Sequence, residues 1–148
     1  MADPPLFTVT RRVGRLIEAR VFSLKTGDDV SAYGAAIAAC VASAPFGVSP
    51  ILCADHRPVR VYAAPAADGL TALFAHNNSR LARAGLVLDR ANATLWLQLD
   101  RIVREAKYDR RKVFADANAA ALFLDESLDD AERARVRAFL SEWVPVVK

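Results

Sequence analysis

The stretch PILCADHRP, residues 50–58, decides how the rest of the chain is read. Its first half, PILCA (50–54), is a short apolar run bounded by turn signals. That is the pattern of a strand buried on both faces, and such strands belong to sheets covered by helices. Its second half packs a carboxylate, an imidazole and a guanidinium into Asp55, His56 and Arg57, at the place where that strand ends. In open α/β sheets ligands bind at the carboxyl ends of strands, so these three residues are the first candidates for a functional surface.

Working outward toward the N-terminus, residues 6–12 and 15–23 are two extended segments joined around Gly14, the pattern of a hairpin. Thr26 and Asp29 stand at capping-box spacing before a helix whose stripe is Val30, Tyr33, Ile37 and Val41, stopped by Pro45 and Gly47. Toward the C-terminus, VRVYA (59–63) is expected to prolong the extended path. Pro65 then suits the first turn of a second helix with the stripe Leu70, Leu73 and Phe74, ended by HNNS (76–79). RAGLVLD (83–89) reads as a strand. Leu95, Leu99, Ile102, Val103 and Ala106 then fall on one helical face, with Arg101 and Glu105 paired at i,i+4 outside it. A brief strand over 111–116 ends in Asp116, which caps a helix within NAAALFLDES (118–127). Ser127 with Asp130 reads as the capping box of a last helix carrying Val136, Phe139, Leu140 and Trp143 and ending before Pro145.

The resulting order is β-β-α-β-α-β-α-β-α-α. It predicts one α/β domain over 1–148: a mixed sheet of four to five strands, largely parallel, with an N-terminal antiparallel hairpin and helices packed against it. The 148 residues suffice for one core, and 53% hydrophobic with 25% charged residues is the balance of a chain that folds. No apolar run approaches the roughly 20 residues of a membrane span. The opening residues carry an acid and two prolines where a secretory signal has positive charge and a continuous apolar stretch, so a cytoplasmic location is expected. Cys40 and Cys53 fit that compartment as buried reduced thiols.

Three chemistries are weighed at the central stretch and beyond. Strand alternation points Cys53 and Asp55 to one face and His56 to the other, which disfavours a joint metal site; neither metal nor cofactor is expected. A nucleophilic Cys53 or a catalytic His56 is the enzyme alternative, but a thiol inside PILCA is silenced by burial, and no glycine phosphate loop, serine elbow or paired-acid motif is present. Nucleic-acid binding is the other alternative, through Arg80, Arg83, Arg90, Arg101, Arg104, Lys107, Arg110, Arg111 and Lys112. The interspersed Asp89, Asp100, Glu105 and Asp109 and the net charge of only +3 weigh against it, as does the lack of stacking aromatics beyond Tyr108, with Trp96 and Phe114 in apolar patterns. HNNSR (76–80) reads as a helix C-cap or an anion-binding turn.

The element order, with FTVTRRVGRLIEARVFSLKTGDDV (7–30), ILCADHR (51–57) and the closing pattern of Val113, Phe114, Asp116, Ala120 and Leu124, resembles the STAS or SpoIIAA-like superfamily. The resemblance implies a small regulatory module of the bacterial cytosol that binds a protein partner or a small ligand, a nucleotide or lipid in some relatives, without covalent chemistry. It directs attention to the loop of Asp55, His56 and Arg57 and to Asp68 on the adjoining helix. One departure matters: where antagonists of the superfamily carry a phosphorylatable Ser or Thr, this chain has no hydroxyl before Thr71 apart from Tyr62, whose neighbours are apolar. A kinase-operated switch is therefore not carried over. Two late helices and an open hairpin edge also allow a homodimer.

Overall fold

All five residues of the strand Ile51–Asp55 are buried, and it sits third in a five-stranded sheet. A computed structural model describes residues 5–144; residues 1–4 and 145–148, with the Pro145 read as the end of the last helix, lie outside it. The elements are β1 (Phe7–Thr10), β2 (Leu16–Val21), α1 (Gly27–Ser43), β3 (Ile51–Asp55), α2 (Ala64–Asn77), β4 (Arg83–Val87), α3 (Ala93–Ala106), β5 (Arg111–Phe114), α4 (Ala117–Asp125) and α5 (Asp130–Ser141). The strands lie in the order β1-β2-β3-β4-β5. β1 pairs antiparallel with β2, and the remaining pairs are parallel. This is the α/β mixed sheet that the element order predicts.

Sequential strand order has a geometric consequence. Each crossover from β2 to β5 steps one strand in the same direction, and crossovers of one hand then lay their helices on one face. That face holds Ile17, Ala19, Leu52, Ala54 and Leu86 from the sheet, covered by Tyr33 and Ile37 of α1, Leu70 of α2 and Leu95 and Leu99 of α3. The opposite face would be bare without the end of the chain. There Leu16, Ile51, Cys53 and Val87 are covered by Ala120 and Leu124 of α4 and by Val136, Phe139 and Leu140 of α5. Leu124 of α4 packs over Gly85 on β4, where a Cβ would stand in ordinary contact at 3.4 Å. Gly14, at φ +56, turns the hairpin against the first turn of α5, where a Cβ would come within 2.3 Å of Glu132 Oε2.

The capping box at Thr26 and Asp29 is present: Asp29 N donates to Thr26 Oγ1 at 3.1 Å, and Thr26 N donates to Asp29 Oδ2 at 3.2 Å. The one expected at Ser127 is formed instead by Asp129 and Glu132. Ser127 N is still bonded to Leu124 O at the end of α4, and Glu132 both closes the box at 2.9 Å on Asp129 N and accepts Arg15 N at 2.7 Å. Residues 59–63 do not extend a strand. Gln98 takes Tyr62 N and O at 2.9 and 2.8 Å, and Asn92 Nδ2 reaches Arg60 O at 2.7 Å, so α3 claims the backbone groups a neighbouring strand would need. Trp96 lies on the outer side of α3 and is 37% exposed, contrary to its apolar setting in sequence. No helix among the described residues is long and apolar enough to cross a membrane.

Candidate functional site

At the carboxyl end of β3 the chain places Asp55 under α5 and His56 under the helices of the opposite face. Asp55 is fully buried and accepts four hydrogen bonds: Arg20 Nε at 2.8 Å, Arg57 Nε at 2.8 Å, Arg57 Nη2 at 3.0 Å and Arg57 N at 3.0 Å. Burial pushes its carboxyl up, but the bonds from Arg57 and Arg20 outweigh it and hold the group below the usual carboxylate range. The two guanidiniums then reach past the carboxylate to the end of α5. Arg20 Nη2 donates to Phe139 O and Arg57 Nη2 to Leu140 O, both at 2.6 Å. These carbonyls belong to the last turn, which carries the negative end of the helix dipole; Phe139 O also accepts the capping Glu142 N at 3.2 Å. Arg20 also stands 4.2 Å from the Phe139 ring centroid and Arg57 5.1 Å from that of Trp143.

A second fastening runs alongside. Glu18 on β2 is buried beneath α5 and takes Arg135 Nε and Nη2 at 2.9 and 2.7 Å, a bidentate pair. α5 is thus held to the sheet by apolar side chains and by an ionic latch of five charged residues, Glu18, Arg20, Asp55, Arg57 and Arg135. Sequence reasoning missed Glu18, Arg20 and Arg135 as members of this cluster. Their signal was the pair of charges at i,i+2 in LIEARV: two ions on one face of an otherwise apolar strand require a covering element that brings counter-charges.

His56 is enclosed. Its N donates to Val87 O at 2.7 Å, and its Nδ1 lies 2.6 Å from Tyr62 Oη. Burial disfavours the imidazolium and brings the pKa down to about 4, against a smaller opposing pull from the Asp55 carboxylate, so the ring is neutral near pH 7. Nε2 of His56 and the hydroxyl of Tyr33, also buried, have no partner among the described residues. Cys53 points to the α4–α5 side, fully buried; desolvation, with Asp55 and Glu18 nearby, raises its thiol pKa far above the ordinary value. Ellman's reagent is therefore expected to react with one thiol of the native protein, the half-buried Cys40, and with Cys53 only on unfolding. Two rapid equivalents in buffer would show Cys53 to be accessible.

The four residues expected at one ligand-facing surface, Asp55, His56, Arg57 and Asp68, stand apart in this geometry. Asp55 and His56 are sealed on opposite faces of the sheet. Asp68 is exposed on α2 in a cleft of about 240 Å³ with Tyr62, Gln98 and Arg101. Arg57 alone of the three loop residues reaches an open groove, of about 420 Å³, between the N-terminus of α4 and the C-terminus of α5. Ala117, Ala121, Leu140, Trp143 and Val144 form its apolar walls; Asn118, Arg137 and Ser141 stand with Arg57 as its polar groups.

Four of the nine basic residues weighed for nucleic acid are engaged within the fold. Arg83 pairs with Glu126 at 2.5 Å, Arg101 with Glu105 at 2.8 Å and Arg104 with Asp100 at 3.2 Å. Arg111 is buried on Asn78 Oδ1 at 2.7 Å and Phe74 O at 3.0 Å. The HNNSR turn is structural: Asn78 also donates to Ala106 O at 2.7 Å, tying α2, α3 and β5 together. Among the described residues no three His, Cys, Asp or Glu side chains are grouped to hold a metal ion.

Fold and site together define a mixed-sheet α/β protein whose second face is closed by a latched C-terminal helix, with an apolar groove at the latch. No family model, curated protein or solved structure matches this chain.

Proposed function

We propose that the chain is a non-catalytic, STAS-like regulatory module of the cytoplasm that binds a protein partner or a small ligand through the groove between α4 and α5. The observation that carries this reading is the division of labour at the carboxyl edge. The groups with chemistry to offer, Cys53, Asp55 and His56, are buried in structural roles, whereas the groove that Arg57 reaches is open and walled by alanines, Leu140 and Trp143. Such a mostly apolar concavity with a few placed polar groups is the form binding sites take. The same burial weighs against the enzyme alternative, and the acids interspersed with the arginines, which pair with Arg83, Arg101 and Arg104, weigh against nucleic acid.

Trp143 supplies the test. In a Trp96→Phe background its emission reports the groove alone; ATP, GTP and oleate serve as probes, with single-stranded DNA as the contrasting ligand. Saturable change with one of the first three, abolished by Ala121→Glu in a protein of unchanged circular dichroism, is the expected result. Silence with all of them, and no partner protein captured by the parent that Ala121→Glu fails to capture, would sink the proposal.

A further inference from the structure

At the amino edge of the sheet, opposite the groove, Phe46 stands fully exposed. It occupies a closed turn: Val48 N donates to Pro45 O at 3.1 Å, and Gly47 takes φ +81, the third-position conformation of a type II turn. Residues 44–48, APFGV, contain no polar side chain, and Val48 is exposed beside Phe46. A large aromatic held outward by a turn, where a surface loop ordinarily carries polar residues, calls for an apolar or interfacial partner.

Backbone hydrogen bonds line up the neighbours of this turn. Ile51 N bonds Arg15 O at 3.0 Å, Ala82 N bonds Pro50 O at 2.8 Å and Ala84 N bonds Arg110 O at 3.0 Å. The hairpin, the Phe46 loop, the loop of Arg80 and the loop of Lys107 and Arg110 therefore run side by side along one edge. Arg12, Arg80, Lys107 and Arg110 are exposed there and form no salt bridge among the described residues. Arg11 lays its guanidinium on the carbonyl of Ser43, at 2.6 Å, directly before the turn. Of the acids in the adjoining α4–α5 connection, Asp125 pairs with Arg137, Glu126 with Arg83, Asp130 with Arg133 and Glu132 with Arg15, while Asp129 caps α5 by accepting Glu132 N. Asp109 stands among the cations without such a pair.

From this juxtaposition we infer that the amino edge docks on an anionic phospholipid surface, with Phe46 and Val48 entering the headgroup boundary and the flanking arginines and lysine meeting lipid charge. Amphipathic anchoring of this kind combines an inserted apolar group with a basic surround. Single-stranded nucleic acid fits less well, because its binders present a groove with successive stacking aromatics. Here the apolar tip is convex, and the Tyr108 hydroxyl is spent on Leu81 O at 2.6 Å.

Co-sedimentation of the full chain with vesicles of phosphatidylcholine, or of phosphatidylcholine with about a third phosphatidylserine, tests the assignment. Binding is expected to the anionic vesicles alone and to weaken as salt is raised. Phe46→Ser should cost about tenfold and Arg12→Glu with Arg80→Glu at least about 25-fold, at roughly fivefold for each of the two cations lost. These positions are exposed, and circular dichroism confirms the fold of each variant. No binding to anionic vesicles at low salt, or binding indifferent to Phe46→Ser, overturns the inference. So does a dimer that Phe46→Ser dissolves, or an oligonucleotide bound through the same residues in preference to vesicles.

Discussion

Replacing Asp55 by asparagine is expected to lower the unfolding free energy by about 3–5 kcal/mol, measured by urea denaturation at pH 7. The substitution conserves shape, so no cavity is made; it removes the charge and sets an amide NH2 against N–H donors where a carboxylate oxygen accepted two of them. Asp55 is fully enclosed between Arg20 and Arg57, whose side chains are only 10% and 14% exposed. Without the carboxylate, two guanidiniums share a site with little water, each still drawn to a carbonyl of α5. Set against the roughly 5–15 kcal/mol of a typical domain, that loss is a large fraction of the total. Removing the ions together has a different result: Arg20→Met with Asp55→Leu is expected to recover most of the loss, because no buried charge is left unmatched and Arg57 can turn to solvent at the groove. A loss below about 1 kcal/mol for Asp55→Asn would mean that water reaches the latch freely. In pH terms the folded carboxyl is held low, so its contribution is complete above the ordinary carboxylate range near 4 and fades as pH falls through the folded pKa.

His56 gives the second large effect, in a separate pH window. Unfolded, its imidazole takes a proton near pH 6.5; folded, it does so only at about 4. Between those values the unfolded chain holds more protons, so stability rises with pH across the window and is fully present above 6.5. The stability lost by pH 4 is about 3 kcal/mol for this one buried ring. Asp29, Asp55 and Asp125, all held low, enter only as unfolded carboxyls begin to protonate, which leaves the slope between pH 6.5 and 5 to the histidine. His56→Gln should flatten that slope whatever it does to absolute stability. A parent protein whose stability is level from pH 6.5 to 5 would refute the enclosure of His56.

Both effects arise from residues that the sequence singles out for a different reason. Asp55, His56 and Arg57 stand at the end of a buried strand, where a binding loop is the natural expectation. What converts two of them to interior groups lies far along the chain. Arg20 is 35 residues from Asp55, and the carbonyl of Leu140 is 83 from Arg57. Tyr62, six residues from His56, is nearer, but its hydroxyl turns inward only because Gln98 of α3 clamps its backbone.

The order and type of the elements were legible in the sequence because they depend on neighbours. The apolar run Ile51 to Ala54, the spacing of Leu95, Leu99, Ile102 and Ala106, the glycine at the hairpin and the box at Thr26 each act within a few residues. The sequential crossovers that put three helices on one face follow from the same order. The tertiary structure decided what covers the other face and what remains open. Glu18 and Arg20 find their counter-charges only when α5 folds back over β2, and Phe46 projects into solvent only because the turn that holds it has no helix or strand above it. Local patterns report where side chains are spaced along the chain; burial is a property of what arrives from elsewhere.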